Sequence, residues 1–151
     1  MSHVATVDVE IQNLEWLAQA CQKIGLEWLP GQTTYRWFGE SLGDFPLPAG
    51  FSEEDLGHCE HAIGLPEHSI RRWSESYQIG VVKRRDGRPG WSLLWDFYDG
   101  GKGLQNVVGE GCCQLIKAYT SIAVRETALR QGLRVSEQQL ADGSIRMTLS
   151  T

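Results

Sequence analysis

The sequence predicts an α+β domain built on an antiparallel sheet, and three observations carry that prediction. Ala5, Val7, Val9 and Ile11 alternate with Thr6, Asp8 and Glu10, the two-residue period of a half-buried strand. The same alternation returns at 77–81 and 91–98, joined by Arg84-Arg85-Asp86-Gly87, and a final pair of strands flanks Asp142-Gly143. Between these strands, two stretches place apolar residues at helical spacing. The order strand, helix, strand, strand, helix, strand fits a ferredoxin-like arrangement with two main helices on one face of the sheet. An extra C-terminal strand and an insertion at 39–72, part loop and part short helix, elaborate it within a single domain, 1–151.

Each element has a local reason. Asn13 caps a helix whose Leu14, Leu17, Cys21 and Ile24 share a face, and Gly25 stops it. Short strands follow at 26–29 and 33–38, separated by Pro30-Gly31. Residues 39–50, rich in Gly and Pro, form a loop. Ser52 with Asp55 three positions on has the form of a capping box, which predicts a helix over 53–63 ended by Gly64 and Pro66. After the turn at 99–103, residues 104–130 form the longest helix, with Val108, Cys112, Leu115, Tyr119 and Ile122 as its buried stripe. Gly132 closes it, and the hairpin 133–140 with 144–149 completes the chain.

Bulk properties narrow the function. In 151 residues the chain is 41% hydrophobic and 22% charged, values of a folded domain. No apolar run approaches the ~20 residues of a membrane helix, and the first residues show no basic and apolar signal, which together predict a cytoplasmic protein without membrane contact. With no such signal, Cys21, Cys59, Cys112 and Cys113 read as reduced thiols. A net charge of −5 argues against general nucleic-acid binding. The charge is segregated, however. Glu40, Asp44, Glu53, Glu54, Asp55 and Glu60 occupy 40–61 without a cation, whereas 71–88 holds Arg71, Arg72, Lys83, Arg84, Arg85 and Arg88.

Met1-Ser2-His3 with Thr6, and Gln131-Gly132-Leu133 followed by Asp142-Gly143-Ser144-Ile145, resemble the family called domain of unknown function 1257. The central runs Trp37-Phe38-Gly39, Pro46-Leu47-Pro48, Glu54-Asp55-Leu56-Gly57, Cys59-Glu60-His61-Ala62-Ile63 and Leu94-Trp95-Asp96-Phe97 are similar to its phage and bacterial branch. The resemblance spans nearly the whole chain. It implies an intracellular, phage-type protein and carries no catalytic residue with it.

Four patterns bear on chemistry. Gly39-Glu40-Ser41-Leu42-Gly43 has the G-x-S-x-G form of a nucleophile elbow, but Pro46 and Pro48 exclude the helix an elbow needs. His58 and His61 would share a helical face as metal ligands, yet no second ligand cluster completes a zinc site. Gly100-Gly101-Lys102-Gly103 precedes a helix, where free amides hold an anion, and a tight strand-to-helix turn uses the same glycines. Six tryptophans, with Arg36 and Trp37 on one predicted strand, Arg84 and Arg85 at a hairpin tip and Trp95, Asp96 and Tyr98 beside the glycine turn, supply stacking planes and guanidinium forks.

These features point to a non-enzymatic binding protein that sequesters a small phosphorylated, nucleotide-like signal against host defence. Arg36, Trp37, His61, Arg84, Arg85, Trp95, Asp96, Tyr98, Gly101, Lys102 and Gly103 would contact it. No metal or cofactor is called for. Two alternatives stand beside this reading: a module docking on a host or phage protein through 40–61, and a small hydrolase or transferase using His61, Asp96 or Cys59. Exposed sheet edges and a tryptophan-rich face also predict a homodimer.

Overall fold

The computed structural model describes residues 2–41, 43 and 45–151, and it is mixed α+β. Strands β1 (Val4–Ile11), β2 (Glu27–Pro30), β3 (His61–Gly64), β4 (Ile79–Lys83) and β5 (Trp91–Asp96) form one antiparallel sheet in the order β1-β5-β4-β3-β2. Helix α1 (Leu14–Ile24) lies between β1 and β2 and packs against α3 (Cys113–Arg130) on one face of that sheet. The caps are as the sequence predicts: Asn13 Oδ1 accepts from the Trp16 amide, and Gly25 closes α1 at φ 83°. Tyr119 of α3 accepts from the amides of Gln12 and Asn13 at 3.1 and 3.3 Å, locking the turn into α1 onto α3. Among the described residues no helix is long and apolar enough to cross a membrane.

The strand order corrects the ferredoxin-like expectation. That topology inserts one strand between β1 and β2, whereas here β5, β4 and β3 all intervene. One of these, β3, is drawn from the stretch expected to be a helix over 53–63. The capping box does form, with the Asp55 carboxylate accepting from the Ser52 amide at 2.8 Å. It starts only one 3₁₀ turn, Glu53–Asp55, because Gly57 turns the chain at φ 85° and His61–Gly64 then pairs with β2 and β4. Residues 33–38 are not a strand either and make a single bridge, Thr34 to His58. The helix expected over 104–130 is broken: α2 (Gln105–Val108) ends at Gly109 (φ 82°, ψ 168°), a 3₁₀ turn Glu110–Cys112 follows, and only then does α3 begin. The predicted stripe survives the break, with Val108, Cys112, Leu115 and Tyr119 all buried. The C-terminal strands β6 (Arg134–Gln139) and β7 (Ile145–Ser150) pair only with each other, as a ribbon beside α3.

Residues opposite one another across an antiparallel ladder share a face, and this sheet is covered on both. Val7, Leu93, Val81, Ile79, Ile63 and Trp95 face the helices. Val4, Leu94, Val82 and Ala62 face the other way and are buried beneath Tyr35, Leu56, Trp37, Phe51 and Cys59 of the 31–60 segment. The predicted insertion therefore supplies a second core. Tyr35 lies flat on β4, so close that a Cβ on Gly80 would sit 2.6 Å from its ring and 3.2 Å from Cys59. Its hydroxyl, although the residue is only 3% exposed, has no hydrogen-bond partner of good geometry among the described residues. Burial raises its pKa well above the usual phenol range, with the Gly57 amide acting weakly in the opposite direction.

Two substitutions test this layer. Gly80→Ala overpacks it and should cost about 2 kcal/mol, a fall in Tm of roughly 6 °C by scanning calorimetry. Tyr35→Phe removes a buried hydroxyl that has no hydrogen-bond partner of good geometry among the described residues, and should raise stability by about 1 kcal/mol in urea titration; a loss of that size would reveal a partner for the oxygen.

Candidate functional site

Asp96 ends β5 and is fully buried on the face covered by the 31–60 segment. Its Oδ1 accepts from the amides of His3 (2.9 Å) and Tyr98 (3.1 Å), and its Oδ2 from the amide of Phe38 (3.2 Å). All three donors are backbone groups of the protein, so this carboxylate ties three chain segments together and faces no open cleft. The neighbouring turn is closed as well. Trp95 is 2% exposed and Gly101 is buried. The Gly100, Lys102 and Leu104 amides donate to the Phe97, Asp99 and Gly101 carbonyls. Lys102 is held by Asp99 at 2.7 Å, and Gly103 packs near Ile70. Tyr98 stands edge-on to the His3 ring, which also stacks on Phe45. Trp95, Asp96, Tyr98 and Gly101 are thus brought together as the sequence suggests, in an arrangement that binds the chain to itself.

The remaining candidates separate. The Arg36 guanidinium lies 4.7 Å over Trp73, with Nε donating to the Ser76 carbonyl (2.8 Å) and an NH2 group to the Trp73 carbonyl (3.4 Å), so it staples the cover segment down. Trp37 packs its indole nitrogen against Gly57, where a Cβ would come within 2.5 Å. His61 lies on β3 between the indoles of Trp28 and Trp91, each 5.4 Å away, and its Nδ1 accepts from the Gly31 amide. That bond leaves Nε2 as the protonated nitrogen of the neutral ring. Because 53–63 is not a helix, His58 and His61 do not share a helical face. Leu42 of the G-x-S-x-G pattern and Asp44 of the acidic segment lie outside the described residues.

Arg84 and Arg85 sit at the other end of β5 from Asp96, about 17 Å away at the usual rise of a strand. There they line a hollow of about 250 Å³ with Thr6, Ser92, Phe51 and Asp86. Thr6 lies opposite Leu94 and Ser92 opposite Val82, so their hydroxyls are diagonal neighbours on the covered face. Arg84 is held by both carboxylate oxygens of Asp86, which pulls that carboxyl far below its usual range. Arg85 lies 4.8 Å over the Phe51 ring and 3.6 Å from Asp55. The Asp55 carboxyl is also lowered, first by the Ser52 amide and further by Arg85. Thr6, Ser92 and Phe51 are residues that sequence patterns overlook. The available signal was the pair of small hydroxyls at the polar positions of two strands flanking the arginine hairpin.

The nucleophiles are poorly placed for chemistry. Burial pushes the Cys21 and Cys112 thiols up to about 12 and that of Cys59 to about 11. Among the described residues no group of three His, Cys, Asp or Glu side chains could hold a metal ion. Compared with known proteins, the chain matches no family model, no curated protein and no solved structure.

Thiol labelling checks the burial directly. At pH 8 a disulfide reagent should modify exposed Cys113 rapidly, Cys59 slowly, and Cys21 and Cys112 only on unfolding; more than one fast thiol would contradict the packing described.

Proposed function

We propose that the protein is a non-enzymatic binding protein whose ligand is a small phosphorylated molecule of the nucleotide-like class, taken up at the Arg84–Arg85 hollow. One observation supports this most: two guanidinium groups, each held by a carboxylate, and the side chains of Thr6 and Ser92 line one small polar hollow. A phosphate group needs planar forks and O–H donors at close range, and an aromatic ring beside them suits an attached base. Asp86 and Asp55 hold the two arginines in place and temper their charge, so an entering anion competes with carboxylates already bound. The resemblance to a phage-type family motivates the further reading that the ligand is a host defence signal.

A second reading has its own support. Phe38 just before the acidic stretch and Leu47 within it are 41% and 39% exposed, and Glu40, Glu53, Glu54 and Glu60 are exposed too, side chains suited to a basic protein partner.

Thermal shift with a panel of mono-, di- and cyclic nucleotides and inorganic phosphate separates the two. A ligand at 100 times its Kd adds about 2.7 kcal/mol of stability. Arg84→Ala and Arg85→Ala should each weaken binding about 10- to 100-fold, whereas Arg36→Ala should lower the Tm and leave the affinity of the folded protein unchanged. No shift with any member of the panel would leave the protein-docking reading as the stronger one.

A further inference from the structure

The described residues leave four strand edges without a partner strand, the outer edges of β1, β2, β6 and β7. Unpaired edges recruit other strands unless something blunts them. β1 is interrupted by a register shift between Val7 and Ile11 and carries an exposed Glu10. β2 is four residues long and ends in Pro30. The β6–β7 ribbon is under-packed, and β7, although it carries the exposed Arg146, runs six residues without a register shift or a proline. No residue from 131 to 151 is buried, and a two-stranded ribbon is marginal in water without a third strand or a firm support.

The ladder puts Val135 opposite Leu149, Glu137 opposite Met147 and Gln139 opposite Ile145, so these six share the face toward α3. Arg134, Ser136, Gln138, Arg146, Thr148 and Ser150 share the other. The support on the α3 side is incomplete. Between Val124 of α3 and the Ile145–Met147 stretch there is a hollow of about 430 Å³, and both Val124 (40%) and Leu149 (45%) are exposed.

We propose that the outer edge of β7 pairs antiparallel with β7 of a second copy of this chain, with Met147 opposite its symmetry mate. Only registers that keep the two apolar faces on the same side are admissible, since a slip by one residue reverses every side chain. The Met147-centred register sets Ile145 opposite the second copy's Leu149, and Arg146 opposite its Thr148. It makes one four-stranded sheet in which Ile145, Met147 and Leu149 of the two β7 strands form a central apolar stripe, with no like charges opposed across the new ladder. The equivalent pairing through β6 fails this condition. Centred on Glu137 it opposes two carboxylates, and centred on Ser136 it sets Val135 against Glu137. β7 thus pairs with its own copy more favourably than β6 does in either of these registers, which leaves β6 as an outer edge of the assembly.

Position 148 reads out the register, because within one chain the residue directly opposite Thr148 is the uncharged Ser136. Sedimentation equilibrium of the full chain should give a monomer–dimer equilibrium. Thr148→Glu, which meets Arg146 of the second copy at two symmetric positions, should tighten it about 3- to 10-fold, and Thr148→Arg should weaken it by a similar factor, with far-UV circular dichroism unchanged in both. A chain that stays monomeric at several hundred micromolar overturns the proposal. So does a dimer indifferent to both substitutions, or one weakened equally by both.

Discussion

A carboxylate removed from water must have its charge answered locally, and the way Asp96 meets this requirement shapes much of the molecule. An uncompensated buried charge costs several kcal/mol, so a fully buried Asp survives only where donors converge on it. Here the donors are three amides from the start of β1, from the cover segment and from the turn after β5. The turn that presents the Tyr98 amide to Asp96 bends sharply at 98–103, where Asp99, Gly100, Gly101 and Lys102 all take left-handed backbone conformations. At Gly100 and Gly101 the lack of a Cβ makes that conformation cheap, so these glycines serve the turn whether or not an anion binds there.

The same carboxylate fastens the 31–60 segment over the second face of the sheet. This segment contains little regular structure, yet Tyr35, Trp37, Phe51 and Leu56 bury Leu94, Val82 and Ala62 as fully as the helices bury the opposite side. Irregular backbone can cover a core only if its polar groups are satisfied. Arg36 and Gln78 do this: Gln78 Oε1 accepts from the Arg36 amide and the Gln32 side chain, and Arg36 donates to two carbonyls. Side chains whose chemistry suits a nucleotide are used here to hold a loop on a sheet.

Function is then left to what this internal wiring does not consume. The β4–β5 hairpin packs against the cover at Gly50 and Phe51, and its arginines meet carboxylates and an aromatic face at the rim of a small polar hollow. At the far side, the β6–β7 ribbon takes no part in either core and keeps its edges open. Ligand capture and self-association would therefore use separate parts of the chain.

Local chemistry was legible in the sequence wherever it acts over a few residues. The alternation of β1, the Asn13 and Gly25 caps of α1, the Asp86-Gly87 and Asp142-Gly143 turns and the buried stripe through Tyr119 could all be read directly, because capping, turn geometry and periodicity are set by near neighbours. The tertiary structure decided the rest. Residues 61–64 became a strand because β2 and β4 offered ladders on both sides, overriding a correctly formed capping box. The long helix broke at Gly109, which takes φ 82° and ψ 168° and so ends the helical run between α2 and α3. Whether an arginine is a staple, like Arg36, or lines an open hollow, like Arg84 and Arg85, depends on which carbonyls and carboxylates distant segments bring to it, and that information is carried by no short stretch of sequence.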